Sequence, residues 1–177
     1  MSAFTPVAGR ECGDCTCCCV ELAIETPELR KPDGCDCPHI VDGIGCGIYA
    51  DRPVLCRNWY CGWRMGALSD EMRPDQCGVL LAPEIGRAPG YQRGGMRIIL
   101  TRADRATLSS EKLLDFVARC VIGAVPIWLS WGDGTATKRY LVNDDLKPPL
   151  NAGNKLAFYR ALDNALHRLI KNVEAPD

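Results

Sequence analysis

Histidine is almost missing from this chain: its 177 residues include two, His39 and His167. Mechanisms that set a histidine base beside a serine or cysteine nucleophile therefore have few candidates. An excess of either charge is missing too, with 21 basic and 22 acidic residues and a formal net charge of −1. That excludes the electrostatic footprint of a protein that coats nucleic acid or an anionic membrane, and neither is expected as a partner. No run of about 18 apolar residues exists, so no membrane span is expected. The first ten residues lack a basic start followed by an apolar stretch, and do not read as a secretory leader. A phosphate-binding Gly-x4-Gly-Lys loop and a Gly-x-Ser-x-Gly elbow are both missing. Gly94-Gly95 lacks the strand–helix setting of a dinucleotide site. No internal repeat or low-complexity segment is present, and no catalytic motif stands out.

Cysteine is what the chain has in plenty. There are 12, and ten of them lie between Cys12 and Cys61. Twelve thiols without a leader point to a reducing, cytoplasmic setting, where metal or redox chemistry is favoured over disulfide staples. The densest stretch is Cys12-Gly-Asp-Cys15-Thr-Cys17-Cys18-Cys19, in which five of eight residues are cysteine. Read as Cys-x2-Cys-x2-Cys-Cys, it gathers Cys12, Cys15, Cys18 and Cys19 in one tight region, with Cys17 nearby. Two-residue spacers curl the backbone around a shared ion, as zinc knuckles and iron–sulfur loops do. Vicinal Cys18-Cys19 is a poor disulfide, and so many close thiols would scramble by exchange. Further on stand Cys35, Cys37-Pro38-His39, Cys46, Cys56 and Cys61. A histidine after such a loop reads first as a surface or hydrogen-bonding residue, so His39 is not taken as a ligand.

The ordered set Cys-x2-Cys-x2-Cys-Cys at 12–19, Cys37-Pro38, and Cys46-x-Ile48-Tyr49-x-x-Arg52-Pro53-x-x-Cys56-Arg57 resembles the CxxCxxCC zinc- or iron-chelating family, the YkgJ-type cysteine-cluster proteins. The likeness covers roughly residues 10–65. Cys17 stands where a small residue is usual in that family, and Cys35 is extra to its pattern. The resemblance implies a module that binds metal through Cys12, Cys15, Cys18, Cys19, Cys37, Cys46 and Cys56, with Cys61 as an extension. Flagellin lysine methylases share such a cluster; they are longer proteins, and the rest of their sequence finds no counterpart here.

Thiolate ligands suit zinc, iron and iron–sulfur clusters alike. Zinc is the first expectation, because no motif of a cofactor-dependent enzyme accompanies the cysteines. The radical S-adenosylmethionine spacing fails, with Leu22 where its third cysteine belongs. Two zinc ions cannot neutralise eight thiolates, so bridging sulfurs or nearby Arg10, Arg52, Arg57 and Arg64 would have to lower the cost of buried charge. Trp59, Tyr60 and Trp63 are expected to shield the site. Three roles stay open: a metal-binding protein, an iron–sulfur protein with a redox or protein-modifying role, and a metal storage or delivery protein.

The expected fold is α+β: an irregular cysteine-rich metal-binding module packed on a small, mainly antiparallel sheet with two longer helices. The module is expected over residues 1–82 and the α+β part over 83–177, packed against each other as one compact unit. Val20–Ile24 alternates and predicts a short strand. Thr26-Pro27-Glu28 predicts a helix start, and Asp42–Tyr49 a hairpin whose second strand carries Cys46, Ile48 and Tyr49. Asp51–Arg57 predicts a capped helical turn carrying Cys56. A short helix is expected before Pro74, a buried strand over Val79–Leu81, and a loop from Pro83 to Gly95. Strands are predicted over Met96–Thr101, Pro126–Trp131 and Thr137–Val142, the last two joined by a Gly132-Asp133-Gly134 turn. A helix capped by Ser109 or Ser110 presents Leu113, Phe116, Val117, Cys120 and Val121 on one face. After a Lys147-Pro148-Pro149 loop, Asn154 caps a final helix with Leu156, Tyr159, Leu162, Leu166, Leu169 and Val173 as its stripe.

Overall fold

The computed structural model describes residues 5–101, 110–131 and 138–174. Four strands make the central sheet. They are β5 (Val79–Glu84), β6 (Gly95–Leu100), β7 (Ile127–Trp131) and β8 (Lys138–Leu141), hydrogen-bonded in that order. β5 pairs antiparallel with β6, and β7 with β8, while β6 and β7 run parallel. A parallel pair needs a crossover, and the chain between β6 and β7 supplies it with helix α4 (Glu111–Ile122). The apolar run Val79-Leu80-Leu81-Ala82 is buried on both faces, as expected of a strand covered from two sides.

Each face has its own cover. Tyr140 projects to one side, where its hydroxyl donates to Asp145 and accepts from Arg168. These acceptor and donor residues lie on α5 (Asn143–Asn151) and α6 (Lys155–Glu174). Arg139 projects to the other side and shares one cavity with Ala82, Glu84, Arg97, Cys18, Leu22 and Trp59. The cysteine-rich segment therefore covers that second face. A further bond seals the sheet's edge: the Gly62 N–H donates to Leu81 O on the outer side of β5. A Cβ on Gly62 would come within 2.6 Å of the Leu81 Cβ, so glycine is required for this approach. One continuous core runs from Cys61, Trp63 and Leu68 through the sheet to Leu162, Leu166 and Leu169.

The first 60 residues hold much shorter elements. These are α1 (Cys17–Glu21), a hairpin of β1 (Ile24–Glu25) with β2 (Arg30–Lys31), a hairpin of β3 (Ile40–Val41) with β4 (Gly45–Cys46), and α2 (Val54–Asn58). A 3-10 turn (Asp70–Met72) and α3 (Pro74–Cys77) lead into β5.

The mixed α+β architecture, with three small sheets that are mainly antiparallel and with long helices α4 and α6, is as expected. Several local expectations are corrected. Val20 and Glu21 belong to α1, because the Cys19 and Val20 amides both donate to Thr16 O and close a helical turn. Thr26 starts no helix: its Oγ1 accepts from Leu29 N–H at 3.0 Å and its N–H donates to Leu29 O, which makes a tight hairpin turn. Ile48 and Tyr49 lie in a turn beyond β4. A short helix does stop ahead of Pro74, the 3-10 turn Asp70–Met72, and Pro74 itself opens α3, since its missing N–H costs nothing at a first position.

Pro83 and Glu84 extend β5, which is an edge strand. The missing N–H of Pro83 faces the same outer side as Leu81 O, so β6 loses no hydrogen bond. Lys147, Pro148 and Pro149 lie inside α5, held by the fully buried Leu146 and by packing on α6. Leu156 is 60% exposed, and Phe158 and Ala165 take its place in the buried stripe of α6. Ser110 occupies the N-cap position of α4 but makes no side-chain cap bond, whereas Asn154 Oδ1 accepts from Ala157 N–H at 2.9 Å. Ser109, the Gly132-Asp133-Gly134 turn, Thr137 and the Val173 side chain lie outside the described residues.

Candidate metal centre

Local hydrogen bonds begin the site. Cys15 N–H donates to Cys12 O at 2.9 Å, so the two-residue spacer Gly13-Asp14 closes a turn. Gly13 takes a left-handed φ of 54° there. Arg73 pins this turn from outside, paired with both Asp14 and Asp75. Arg10 anchors the preceding chain. Its guanidinium donates to Leu68 O at 2.8 Å and to Trp63 O, and pairs with Asp70.

Distant segments then fold onto this turn. Cys37 N–H donates to Cys19 O at 3.1 Å, drawing the Cys37 loop to α1. Gly45 packs directly on the Gly13 carbonyl with a φ of 95°, and any Cβ there would overlap that oxygen. This contact delivers Cys46. α2 delivers Cys56. The outcome is one cavity of about 50 Å³ lined by Cys12, Cys15, Cys19, Cys37, Cys46 and Cys56, six cysteines from four segments. Ile24, Leu29, Ile48 and Pro53 supply its apolar wall, and His39, Tyr49 and Arg52 complete it.

Cys18 and Cys61, the other two expected ligands, do not line this cavity. Cys61 is buried in the main core, and Cys18 packs against that core. Both feel the charge of Cys12 and Cys15, so they sit behind the cavity toward the sheet. Cys17 packs on the same core, and its thiol donates to Cys15. Cys77 is held by backbone groups of Met72 and Val79, away from the cavity.

Among the described residues, no three Cys, His, Asp or Glu side chains are gathered closely enough to hold a metal ion as they stand. The donor chemistry nevertheless fits a thiophilic metal: soft sulfurs, an apolar wall and few competing oxygens.

Proton sharing describes the thiols as they are. The Cys17 thiol donates to Cys15 and holds it down at about 7, while Cys17 itself is pushed up. Cys18 does the same for Cys19, which also falls to about 7. Burial pushes Cys46, Cys56 and Cys61 up. Cys15 and Cys19 are thus the thiols of the set held lowest, and a metal would meet them first as thiolates.

Cations near the sulfurs only partly match expectation. Arg64 Nη1 lies 3.6 Å from Cys12 Sγ and donates to it. Arg52 stacks on Tyr49 with its guanidinium 3.7 Å from the ring centre and draws the Cys19 value down. Arg57 is exposed, and Arg10 spends its donors on carbonyls. The sequence reading missed Lys31, which is 4% exposed. Its ammonium donates to Val20 O, Leu22 O and Pro32 O at 2.6–2.9 Å, bracing the end of α1 close to the charges of Cys19, Cys35 and Cys37. A Lys-Pro-Asp-Gly turn looks solvated in sequence, and nothing local marks that lysine as buried. His39 and Tyr49 were likewise not expected on the cavity wall. Trp63, expected to shield the site together with Trp59 and Tyr60, is buried in the main core with its Nε1 donating to Asp70 O at 3.0 Å, and none of the three aromatics lines the cysteine cavity.

Comparison with models of known families, with curated proteins and with solved structures finds no match to this chain. The likeness to the cysteine-cluster family thus rests on the residues from Cys12 to Arg57. No described helix is long and apolar enough to cross a membrane.

Proposed function

We propose that this chain is a metal-binding protein whose cysteines hold zinc, or iron as an iron–sulfur cluster. The observation that carries the proposal is the cavity shared by Cys12, Cys15, Cys19, Cys37, Cys46 and Cys56. Structural packing alone has no reason to bring six thiols from four segments to one small apolar hole. Cys18 and Cys61, close enough to Cys12 and Cys15 to feel their charge, would extend the donor set. Bound metal would tie the short elements of the first 60 residues together, as structural zinc does. A redox or protein-modifying role draws support from a second cavity that shares Cys19 and Cys56 with the first.

Metal analysis, labile-sulfide assay and absorption spectroscopy of anaerobically purified full-length protein test this reading. Colourless protein with stoichiometric zinc supports the zinc form. Brown protein with charge-transfer bands and sulfide supports the cluster form. Folded protein with no metal and with all its thiols open to a titrating reagent overturns both.

A further inference from the structure

The second cavity is large, about 410 Å³, and is built unlike the first. Cys19, Ile24 and Cys56 line both, so the two are separated by a single layer of side chains. Its floor is the sheet face that carries Ala82, Glu84, Arg97 and Arg139; Ala82 stands directly opposite Arg97 in the β5–β6 register. Leu22, Leu55 and Trp59 form an apolar wall.

Arg97 is out of place in this floor unless something meets it. Its side chain is 11% exposed, on the second strand of a four-stranded sheet. The Arg97 Nε is buried and has no hydrogen-bond partner. The nearest carboxylate oxygen, Glu84 Oε2, is 3.6 Å away, too far for a hydrogen bond. Glu84 is already engaged through Oε1 by Arg139 at 3.0 Å. Two guanidiniums thus draw on one carboxylate, while Asp33 on the lining and Glu21 nearby add only longer-range attraction. Burial without a full set of acceptors disfavours the guanidinium charge and costs stability. A mixed pocket lined by an incompletely satisfied cation and by an aromatic and apolar wall is the form of a small-molecule site.

We propose that this pocket binds an organic carboxylate with a flat apolar body, the carboxylate on Arg97 and the body against Trp59 and Leu55, alongside Cys19 and Cys56. Guanidinium and carboxylate match as a two-pronged pair, made here on the edge of Arg97 that faces the pocket, and the ligand relieves Arg97 of sharing Glu84 with Arg139. The binding site stands on its own lining. Its use as a substrate pocket rests on the metal reading of the adjoining cavity, whose sulfurs the ligand would approach.

Calorimetric titration of the full-length protein, as purified, with 3-phenylpropionate tests the site, with 3-phenylpropanamide as the uncharged control. One site per chain is expected for the acid, with the amide about ten-fold weaker or worse. Arg97→Met should weaken the acid by about ten-fold or more and leave the amide little changed. Arg97 lies in a central strand, so Trp59→Ala provides a second variant off the sheet, expected to weaken acid and amide alike. Equal binding of acid and amide, no binding of the acid, or unaltered binding in both variants overturns the proposal. Metal content is measured on the same samples. Acid binding without metal sinks the metal reading and leaves this one standing, and metal without acid binding does the reverse.

Discussion

Residues up to about 60 and the chain from Val79 onward are held together by different means. The second region buries Val79, Leu81, Ile98, Leu113, Val117, Ile127, Leu129 and Leu146 completely. Its strands and helices are long enough for periodic apolar residues to decide their own packing. The first region has strands of two residues and helices of five. Its own apolar cluster consists of Ile24, Leu29 and Cys37, with Cys19, Ile40 and Cys56 around it. So small a cluster cannot offset the entropy of ordering the chain, and polar anchors such as Arg10, Lys31 and Arg73 do part of the work. The sulfurs are the remaining resource. On the proposed metal-binding reading, the cysteines would serve the first region as the leucines and isoleucines serve the second.

If the first region holds metal as proposed, removing that metal breaks the contrast most severely. Structural thiolate sites bind with apparent free energies on the order of 10 kcal/mol. A strong chelator is therefore expected to abolish amide exchange protection at Cys19, Cys37 and Gly47 while Leu80, Ile98 and Leu129 keep theirs. Uniform loss, or no loss, ends the distinction between the regions. Next, Ile98→Ala should cost about 3 kcal/mol in chemical denaturation, since it opens a cavity in a fully packed strand. Its metal content per folded chain should equal that of the parent protein, and a reduced content would mean that the sheet builds the site.

Lys31→Met strips three part-buried carbonyls of their donor. It is expected to cost about 2 kcal/mol and also to lower metal retention in a competition assay. Unchanged retention would show that the ammonium acts on the fold alone. Cys120→Ala removes a sulfur packed beside the main core. It should cost about 1 kcal/mol and no metal, whereas Cys15→Ser should lower metal content and stability together.

The smallest effect belongs to an exposed pair, Lys155 with Glu111 at 2.9 Å. The hydrogen bond from Lys155 holds the Glu111 carboxyl below its ordinary value. A lowered carboxylate value stabilises the fold above the ordinary value and loses that contribution as pH falls through the folded one. The melting difference between parent and Lys155→Met should therefore shrink as pH falls from about 5 toward 2. A difference that grows on acidification contradicts the assignment.

How much of this was legible differs by region in the same way. Periodicity over a dozen residues placed the buried face of α4, where Leu113, Phe116, Val117 and Val121 all point inward. The β7–β8 hairpin was equally readable from its apolar strands. Two proline-bearing stretches were misread because proline's missing donor is harmless at an outer edge and tolerated in a packed helix. In the first region Thr26 illustrates the limit. Thr-Pro-Glu is an adequate helix start in isolation, and only the pairing of Ile24 with Lys31 turns it into a hairpin.

By itself the sequence determined the turn at Cys12–Cys15, the supply of thiols and the α+β class, because these follow from spacing and period among near neighbours. Tertiary structure decided which six cysteines line one cavity, that Cys18 and Cys61 belong with the main core instead, that Lys31 is buried, and that Arg97 lines a pocket with its Nε unpartnered. Each of those facts depends on contacts between segments tens of residues apart. Their geometry is set by the packing of Gly45 on Gly13, Gly62 on Leu81 and Cys37 on Cys19, and no local preference encodes it.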